Sequence, residues 1–534
     1  MSTPITEASP ASPAWWERGV VYQIYPRSFM DATGDGIGDL SGITSRLPYL
    51  RWLGVDAIWI SPFYPSPMAD FGYDVADYCA VDPMFGTLAD WDALIAEAHQ
   101  LHIRVILDFI PNHTSDQHPW FRESRSARDN PRRNWYLWRD PAPDGGPPNN
   151  WVSNFGGRAW TLDRATGQYY YHAYLPEQPD LNWRNPEVER AMHGVLRFWL
   201  DRGVDGFRVD ALRQVVKDDQ WRDNPPNPEW LPSDNPYDSL LPLHTTDRPE
   251  LEDIVRRMRG VLDEYPERVM VGELYLTLER LMCYYDYGCH LPFNFQLIEL
   301  PWDARIMDAA IRRYEEMLPP GAWPNWVLGN HDRHRIASRV GGAQARVAAM
   351  LLLTLRGTPT LYYGDELGMT DVPIPPEQVQ DPWELRVPGL GLGRDPERTP
   401  MQWDASPNAG FTSGRPWLPV AADFRDINVD VQQRDPASLL CLHRRLLALR
   451  RAEPALSVGS YEPVEATGSV LAYVREAANQ RFLVALNLNS APASLNLSEW
   501  KGGVVLGTHS DREGDRITRA VPLRAHEGIV AKLD

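Results

Sequence analysis

Four short polar segments in this 534-residue chain each follow or end an apolar run, and together they carry carboxylates, histidines and an arginine. They read DFIPNH at 108–113, GFRVDA at 206–211, GEL at 272–274 and GNHD at 329–332. The carboxyl groups of Asp210, Glu273 and Asp332 can act as nucleophile, acid or base. Any one of these residues alone would most simply be a helix cap or a packing residue. Four such segments in the same context predict a shared site for acid–base and nucleophilic chemistry.

Spacing within these segments suggests different roles for two of the carboxyl groups. Arg208 and Asp210 lie two residues apart, so on a strand their side chains project to the same side. We expect the guanidinium to lower the pKa of Asp210 and keep it ionised, as a nucleophile must be. Glu273, from a neighbouring strand, would carry the proton that a leaving oxygen needs. Two carboxyl groups about 5–5.5 Å apart can cleave a glycosidic bond with retention, through a covalent intermediate.

An alternation of apolar runs with helical patterns supplies the elements that must position these residues. Helical patterns lie at 88–101, 187–202, 250–264 and 343–355. The predicted strands are eight near-continuous apolar runs, at 20–25, 57–61, 104–110, 206–211, 268–274, 293–297, 326–330 and 360–363. Runs of this kind are typical of parallel strands that are buried on both faces. Eight such units predict an α/β fold, a (β/α)8 TIM barrel with functional residues at the carboxyl ends of its strands.

Two departures from the alternation predict further domains. The segment 113–181, rich in Pro, Gly, Asn, Trp and Arg, is predicted to be an inserted subdomain after the third strand. Residues 455–534 show short alternating segments and predict a C-terminal antiparallel β-sandwich. The barrel would then comprise 1–112 and 182–454, and the Pro-, Gly- and Asp-rich stretch 370–424 would form a lid-like loop after the eighth strand.

Composition restricts the partners and the cellular location. The formal net charge is −19, which disfavours nucleic acid and anionic membranes as partners and favours a neutral or cationic ligand. No apolar run approaches the roughly 20 residues of a membrane span, and residues 1–13 lack the pattern of a secretion signal. The four cysteines form no CxxC pair. These features predict a cytoplasmic protein with free thiols.

The four polar segments resemble the signature regions of the α-amylase superfamily, glycoside hydrolase family 13. The resemblance is strongest to the α-glucosidase and oligo-1,6-glucosidase branch and extends from about residue 15 to the end. It implies that Asp210 is the nucleophile, Glu273 the general acid/base and Asp332 a transition-state stabiliser, with no cofactor for catalysis. It also implies that three further residues line the first sugar subsite: His113, Arg208 and His331.

A segment after the second strand, DFGYD at 70–74, bears on whether the site acts on chain ends. In the branch that the chain resembles, the residues matching Asp70 and Tyr73 contact the non-reducing glucose. The aspartate pairs there with an arginine from the loop after the eighth strand, and Arg398 fits that role. An Asp70–Arg398 pair would close the cleft into a pocket, so the resemblance implies an exo-acting α-glucosidase with short substrates.

Linkage and acceptor are less constrained by the sequence. In the same branch the residue after the nucleophile tends to be Val in α-1,6-selective enzymes, and here it is Ala211, which favours α-1,4 substrates such as maltose. Transfer to an alcohol acceptor would use the same covalent intermediate. The alternatives are an oligo-1,6-glucosidase or a sucrose- or trehalose-directed relative: a sucrose hydrolase, a sucrose isomerase or a trehalose synthase. A non-catalytic transporter partner is disfavoured, because all three carboxylates are present and a membrane span is not.

A Gly- and Asp-rich loop, DATGDGIGD at 31–39, predicts a structural metal site near the first strand. Hard oxygen donors at alternate positions suit Ca²⁺ or Mg²⁺. The predicted ligands are Asp31, Thr33, Asp35, Ile37 through its carbonyl, and Asp39. The loop is similar to a family site whose third position is usually Asn, so Thr33 is a weaker ligand, and an ion-free turn is the alternative.

Overall fold

Eight short parallel strands form the centre of the protein, whose computed structural model describes residues 13–466, 468–477, 479–497 and 500–534. The strands are β1 (Val21–Ile24), β2 (Ala57–Ile60), β3 (Arg104–Phe109), β4 (Gly206–Val209), β5 (Val269–Gly272), β6 (Leu291–Pro292), β7 (Asn325–Val327) and β8 (Thr358–Tyr362). They pair in the spatial order β7, β8, β1, β2, β3, β4, β5, β6. Nearly all their residues are buried, as in strands covered on both faces. The predicted (β/α)8 barrel is confirmed.

The ring is nearly closed, and a side chain links its two ends. Asn325 of β7 donates from Nδ2 to the carbonyl of Pro292 at 2.5 Å, and its Oδ1 accepts from the backbone N–H of Asn294 at 3.1 Å. Asn325 is 1% exposed, so these bonds form in a water-poor environment where an unpaired amide would be costly. The amide of Asn325 therefore substitutes for part of a β-ladder between β6 and β7.

The sixth strand was predicted in the wrong place. The run 293–297 was expected to be the strand, but β6 comprises two residues before it, and Gln296–Glu299 is helical. The run is apolar because Phe293 and Phe295 pack in the cluster that fills the barrel interior, together with Trp59 of β2. The run is therefore hydrophobic because it is buried, and not because it forms a strand. For an apolar run of this length, hydrophobicity alone cannot distinguish these two cases.

In the described part of the chain, eight helices cover the outside of the barrel, one after each strand. They are α1 (Leu40–Leu53), α2 (Leu88–Gln100), α3 (Pro186–Asp201), α4 (Leu251–Leu262), α5 (Leu278–Asp286), α6 (Ala304–Met317), α7 (Gly342–Thr354) and α8 (Leu439–Ala452). Side chains cap several of their amino ends; Asp39, for example, accepts from Gly42 N at 2.6 Å. Shorter helices are Trp15–Arg18, Pro26–Phe29, Pro119–Ser126, Gln296–Glu299, Ile336–Val340, Pro382–Arg386, Val429–Arg434 and Pro454–Ser457.

The insertion after β3 is a small domain with a sheet of its own. Its strands Trp138–Arg139, Gln168–Tyr171 and Trp160–Asp163 pair antiparallel, with the second in the middle. An isolated bridge between His113 and Asp180 joins the two ends of the insertion. This places the insertion over the carboxyl ends of the barrel strands, where the polar segments lie.

Antiparallel strands make up the C-terminal domain. A six-stranded sheet has the order Ser460–Val464, Val470–Ala477, Gln480–Asn487, Gly528–Leu533, Gly502–Gly507 and Arg516–Ile517. A two-stranded sheet, Ala493–Asn496 with Ala520–Leu523, shares an apolar core with it. Tyr473 OH and Thr354 Oγ1 lie 2.6 Å apart, linking this domain to α7.

The helices and cysteines of the protein bear on its predicted location. Among the described residues, no helix is long and apolar enough to cross a membrane. All four cysteines are free thiols. The segment 1–13 was predicted to lack a secretion signal, and residues 1–12 of it lie outside the described residues. The cytoplasmic location stays a prediction.

Candidate active site

A cavity of about 640 Å³ opens above the carboxyl ends of the strands, within the usual range of about 300–1,000 Å³ for small-molecule sites. Six of the predicted site residues line it: Asp70, Tyr73, His113, Asp210, Glu273 and Asp332. The structure thus brings together the three predicted catalytic carboxyl groups, Asp210, Glu273 and Asp332, each directly after a barrel strand or on the loop that follows it.

Arg208 of β4 joins three carboxylates behind the cavity wall. It contacts Asp108 at 2.6 Å, Asp210 at 2.7 Å and Glu273 at 2.8 Å, and its side chain is 1% exposed. Asp210 and Glu273 bind different terminal nitrogens of the same guanidinium, which holds the two carboxyl groups near each other. Arg208 is therefore a positioning residue and not, as predicted, part of the lining of the sugar subsite.

The electrostatic effect of Arg208 on Asp210 differs from the prediction. Burial raises the pKa of Asp210 well above its ordinary value, Arg208 opposes this, and the nearby Glu273 and Asp108 raise the pKa further. The expected net lowering was wrong because one guanidinium is shared by three carboxylates. The group is short of positive charge and can retain a proton.

An unusual backbone conformation fixes Glu273. Ala211, directly after Asp210, has φ 46° in the left-handed region, which non-glycine residues seldom adopt. Its N–H donates to Glu273 Oε2 at 2.8 Å. Strain of this kind persists where surrounding structure imposes it, often in active sites. Glu273 is thus held by Ala211 on one oxygen and by Arg208 on the other.

Asp332 lies among three nitrogen groups. Arg398 contacts it at 2.7 Å, Arg394 at 3.2 Å and His331 Nε2 at 3.3 Å. Burial opposes ionisation of Asp332, but these neighbours outweigh it and hold its pKa well below the ordinary value. Burial lowers the pKa of His331 far below its usual range, so the positive charge beside Asp332 comes from the two arginines and not from the histidine. Asp332 is therefore a fixed negative charge in the cavity.

Both predicted site histidines are neutral donors or acceptors. Burial lowers the pKa of His113 to about 3. His331 lies 2.6 Å from Tyr73 OH and 2.7 Å from Gln23 Nε2, and its ring stacks on that of Tyr73. Tyr73 lines the cavity, whereas His331 lies beneath it and fixes the tyrosine ring.

The predicted Asp70–Arg398 ion pair is replaced by a different one. Asp70 Oδ1 contacts Arg394 at 2.7 Å, while Arg398 is completely buried and binds Asp332 and the carbonyl of His331. The prediction was wrong because two arginines lie four residues apart in GRDPER, 393–398, and nothing in the sequence shows which one reaches the cavity.

Asp381 decides the orientation of Arg394. Its Oδ2 accepts from Arg394 Nε at 2.8 Å and from the backbone N–H of the same residue at 2.5 Å. The remaining guanidinium nitrogens then reach Asp70 and Asp332. Where the stretch 370–424 carries Asp381 and Arg394, it therefore forms a packed wall of the cavity and not a loose lid.

Sequence reasoning also missed Gln178 of the inserted domain. Its Nε2 lies 3.1 Å from Asp70 Oδ2 and 3.2 Å from His113 Nε2. It is completely buried and connects the inserted domain to the cavity residues of the barrel. A glutamine in an irregular segment carries no pattern that would single it out from sequence.

The predicted metal loop forms a hydrogen-bonded turn. Asp31 Oδ1 accepts from Thr33 N at 2.9 Å and Gly34 N at 2.6 Å, and its Oδ2 accepts from Thr412 Oγ1 at 2.5 Å. Asp39 accepts from Ala32 N at 2.9 Å and also caps α1. Ile37 N donates to Asp35 Oδ1 at 2.9 Å. The loop offers several oxygen atoms as metal ligands, but many of these oxygens already accept hydrogen bonds from protein groups.

Comparison with known proteins decides the family. A model of the alpha-amylase catalytic domain matches residues 23–459, and a model of the maltogenic amylase C-terminal domain matches residues 461–526. The chain belongs to the alpha-amylase family. The predicted resemblance is confirmed, and the protein is an enzyme with a glycoside hydrolase catalytic domain.

Relatives of this alpha-amylase family chain align over nearly its whole length. A probable alpha-glucosidase of Rhizobium meliloti (strain 1021) is 45% identical over 500 residues, covering 90% of this chain and 91% of the relative. The solved structure of an alpha-glucosyl transfer enzyme, XgtA, has a TM-score of 0.93 and 43% identity, covering 98% of this chain and all of that one. The trehalulose synthase MutB from Pseudomonas mesoacidophila MX-45 has a TM-score of 0.89 and 35% identity, with the same coverage.

Arg394 gives a first prediction for this alpha-amylase family enzyme. Arg394→Lys keeps a positive charge but cannot bridge Asp70, Asp332 and Asp381 at once. We expect kcat/KM for maltose to fall on the order of 100-fold, corresponding to the 2–5 kcal/mol typical of a buried charge pair. Arg394→Met should also destabilise the fold, by about 3–5 kcal/mol, because Asp70 and Asp381 lose their cation and Asp332 keeps only Arg398.

Kinetics with maltose and thermal unfolding would measure both effects. Arg386→Met is the control, since Arg386 belongs to the same stretch 370–424 but is exposed and, among the described residues, donates to the carbonyls of Phe155 and Gly156 and not to a carboxylate. Equal losses in the Arg386 and Arg394 variants would show that the bridge has no particular role.

Proposed function

We propose that the protein is a retaining, exo-acting α-glucosidase that releases glucose from the non-reducing end of short α-glucosides. The Asp70–Arg394 contact at 2.7 Å is the observation that carries this proposal. Both side chains are about 5% exposed and lie in the wall of the cavity that also contains Asp210, Glu273 and Asp332. A charged pair at this position can bind the outer hydroxyls of a terminal glucose and leave no path for a longer chain.

The carboxyl groups have separate roles in the proposed reaction. Asp210 attacks the anomeric carbon, Glu273 protonates the leaving oxygen, and a covalent glucosyl-enzyme forms. Glu273 then removes a proton from water, which hydrolyses the intermediate. Asp332 stabilises the positive charge that develops on the sugar. The contacts of Glu273 with Ala211 and Arg208 keep it close to Asp210 throughout.

Proton NMR during turnover of maltotriose tests this proposal. The first product should be α-glucose together with maltose, because retention preserves the anomer and exo action removes one terminal residue. Early β-glucose would contradict retention. Release of internal fragments from longer maltooligosaccharides would contradict exo action.

Ala211 supports a preference for α-1,4 linkages and gives a second prediction. It lines the cavity beside Asp210. In Ala211→Val two added methyl groups occupy this space, and we expect the ratio of kcat/KM for isomaltose over maltose to rise roughly tenfold. Total activity should fall, since a β-branched residue is strained at φ 46°.

Ala211→Gly is the control for the second prediction. It removes the strain without adding volume, so the ratio should stay unchanged or move toward maltose. Initial rates on the two disaccharides measure both variants. An unchanged ratio in Ala211→Val would place the determinant of linkage elsewhere.

Transfer of glucose to alcohols is part of the proposal. The likeness to an alpha-glucosyl transfer enzyme over 98% of the chain supports it, and a covalent glucosyl-enzyme can react with an alcohol in place of water. NMR of maltose turnover with glycerol present would detect α-glucosyl glycerol. Glucose as the sole product over a range of glycerol concentrations would argue against transfer.

A sucrose-directed activity is the second candidate, since a trehalulose synthase has a TM-score of 0.89 to this chain. It shares the proposed intermediate and differs in the acceptor. Product analysis with maltose, sucrose, trehalose and isomaltose separates the two. Turnover of sucrose alone, with isomeric disaccharides as products, would replace the main proposal.

We also propose that the loop 31–39 binds a structural Ca²⁺ or Mg²⁺. Its three aspartates and the Ile37 carbonyl fit a hard cation in chemical type, although the turn is already hydrogen-bonded. As a third prediction, millimolar Ca²⁺ should raise the unfolding temperature of the chelator-treated enzyme, because an ion that binds only the folded state stabilises it. The rise should be lost in Asp35→Ala. An identical unfolding temperature with and without Ca²⁺ would favour the ion-free turn.

A further inference from the structure

Three potential metal ligands meet outside the catalytic cavity. His334 follows β7, Asp371 follows β8, and Glu397 lies in the short 3₁₀ helix Asp395–Glu397. His334 Nδ1 is 2.9 Å from Asp371 Oδ2 and 3.9 Å from Glu397 Oε2. The three ligand atoms all lie within 4.8 Å of one another. None of these residues has a role in the proposed reaction.

The environment of Glu397 distinguishes this cluster from an ordinary surface ion pair. It is 2% exposed, and its Oε2, the oxygen that faces His334, has no hydrogen-bond partner. A buried carboxyl oxygen without a partner is costly, so an oxygen in this state calls for an explanation. A cation between Glu397 and the other two side chains would supply the missing partner.

We propose that His334, Asp371 and Glu397 bind a divalent transition-metal ion, with Zn²⁺ as the best match. One imidazole nitrogen and two carboxylates form a donor set that Zn²⁺ uses, whereas Ca²⁺ and Mg²⁺ prefer oxygen ligands alone. Metal–ligand bonds of about 2.0–2.2 Å require the three side chains to close slightly around the ion. The His334 side chain is 52% exposed and can make this movement, and it leaves a route from solvent.

The ion would join three segments that hold the catalytic cavity. His334 lies two residues after Asp332, and Asp371 Oδ1 accepts from the backbone N–H of Arg335 at 2.9 Å. Glu397 directly precedes Arg398, which contacts Asp332 at 2.7 Å. A metal at this point therefore cross-links the loops after β7 and β8 behind Asp332. Its role would be structural, since the three ligands do not line the cavity in the described part of the chain.

Positive groups near the cluster, among them Arg339 and Arg398, work against a cation. Arg339 donates from Nε to the carbonyl of His334 at 3.2 Å, and Arg398 is next to Glu397. Burial raises the pKa of Glu397 well above its ordinary value, the Asp371 charge raises it further, and Arg398 opposes this. The carboxyl groups of Glu397 and Asp371 therefore lie close together, and a cation between them would reduce their repulsion.

Isothermal titration of the chelator-treated full-length enzyme with Zn²⁺ tests the proposal. Millimolar Ca²⁺ is kept present so that the loop 31–39 does not compete. We expect one equivalent of Zn²⁺ to bind. His334→Asn and Glu397→Gln should each weaken binding by at least about tenfold.

His99→Asn is the matched control. His99 Nε2 lies 2.7 Å from Asp205 and its side chain is 39% exposed, so it forms a similar half-exposed ion pair without the third ligand. It should bind Zn²⁺ like the wild type. His334→Asn alters an exposed side chain and keeps the test valid if Glu397→Gln fails to fold. No Zn²⁺ binding by the wild type, or equal binding by His334→Asn and wild type, would overturn the proposal.

Discussion

Asp210→Asn should lower kcat for maltose by roughly 10⁴-fold or more, which is the typical scale of loss when an enzyme loses its nucleophile or a residue that acts together with it. The amide keeps the shape of the side chain and can still contact Arg208, which now lies 2.7 Å from the carboxylate. It cannot form the covalent intermediate. The fold should remain intact, because replacing a carboxyl group whose burial raises its pKa relieves part of the cost of ionising it.

A small nucleophile distinguishes loss of the nucleophile from general damage. In Asp210→Gly, azide can enter the vacated space and attack the anomeric carbon from the same side as the carboxylate. With an activated α-glucosyl fluoride the product should be β-glucosyl azide, formed with a single inversion. Mass spectrometry and NMR of the product make the assignment.

Asp108→Asn is the matched control for Asp210. Asp108 contacts the same guanidinium at 2.6 Å but lies beneath the cavity, so azide should not restore activity to its variants. If Asp210→Gly yields α-glucosyl azide or no azide adduct, while the Asp108 variant gives the β product, the nucleophile has been assigned to the wrong carboxylate.

The barrel could be predicted from sequence because its strands are buried on both faces. Runs such as 20–25 and 57–61 are apolar nearly throughout, and β1 and β2 lie within them. The same reasoning misplaced β6, since 293–297 is apolar for a different reason: it fills the barrel interior. A hydrophobic run indicates that a segment is buried. It identifies a strand only where the flanking residues also show where the strand begins and ends.

The site residues at strand ends were predictable, but contacts across the long loop after β8 were not. Asp210 and Glu273 follow directly from β4 and β5, so their convergence is a property of the barrel. The partner of Asp70 depends on which arginine Asp381 orients, and that is a tertiary contact without a sequence pattern. The pKa of Asp210 was mispredicted for a similar reason. The sequence shows that Arg208 is near but not that two other carboxylates share it.

Glu273→Ala should separate the two steps of the proposed reaction. Maltose needs a proton on its leaving oxygen, so we expect kcat/KM for maltose to fall about 10³-fold, within the range for general acid catalysis. A dinitrophenyl α-glucoside leaves without a proton, so its first step should slow by less than about tenfold. The glucosyl-enzyme should then accumulate, because water lacks its base.

Azide should react with this accumulated intermediate without any base. Since Asp210 is intact, the attack is the second inversion and the product should be α-glucosyl azide, the opposite anomer to that from Asp210→Gly. Glu273→Gln is the control for side-chain volume, since it can keep the contact with Arg208 that Glu273 makes at 2.8 Å. If both substrates slowed equally in Glu273→Ala, the loss would come from the altered Arg208 cluster and not from a missing acid. The two azide products therefore test the two roles separately: the β anomer from Asp210→Gly requires azide in place of the missing nucleophile, and the α anomer from Glu273→Ala requires an intact nucleophile and no base.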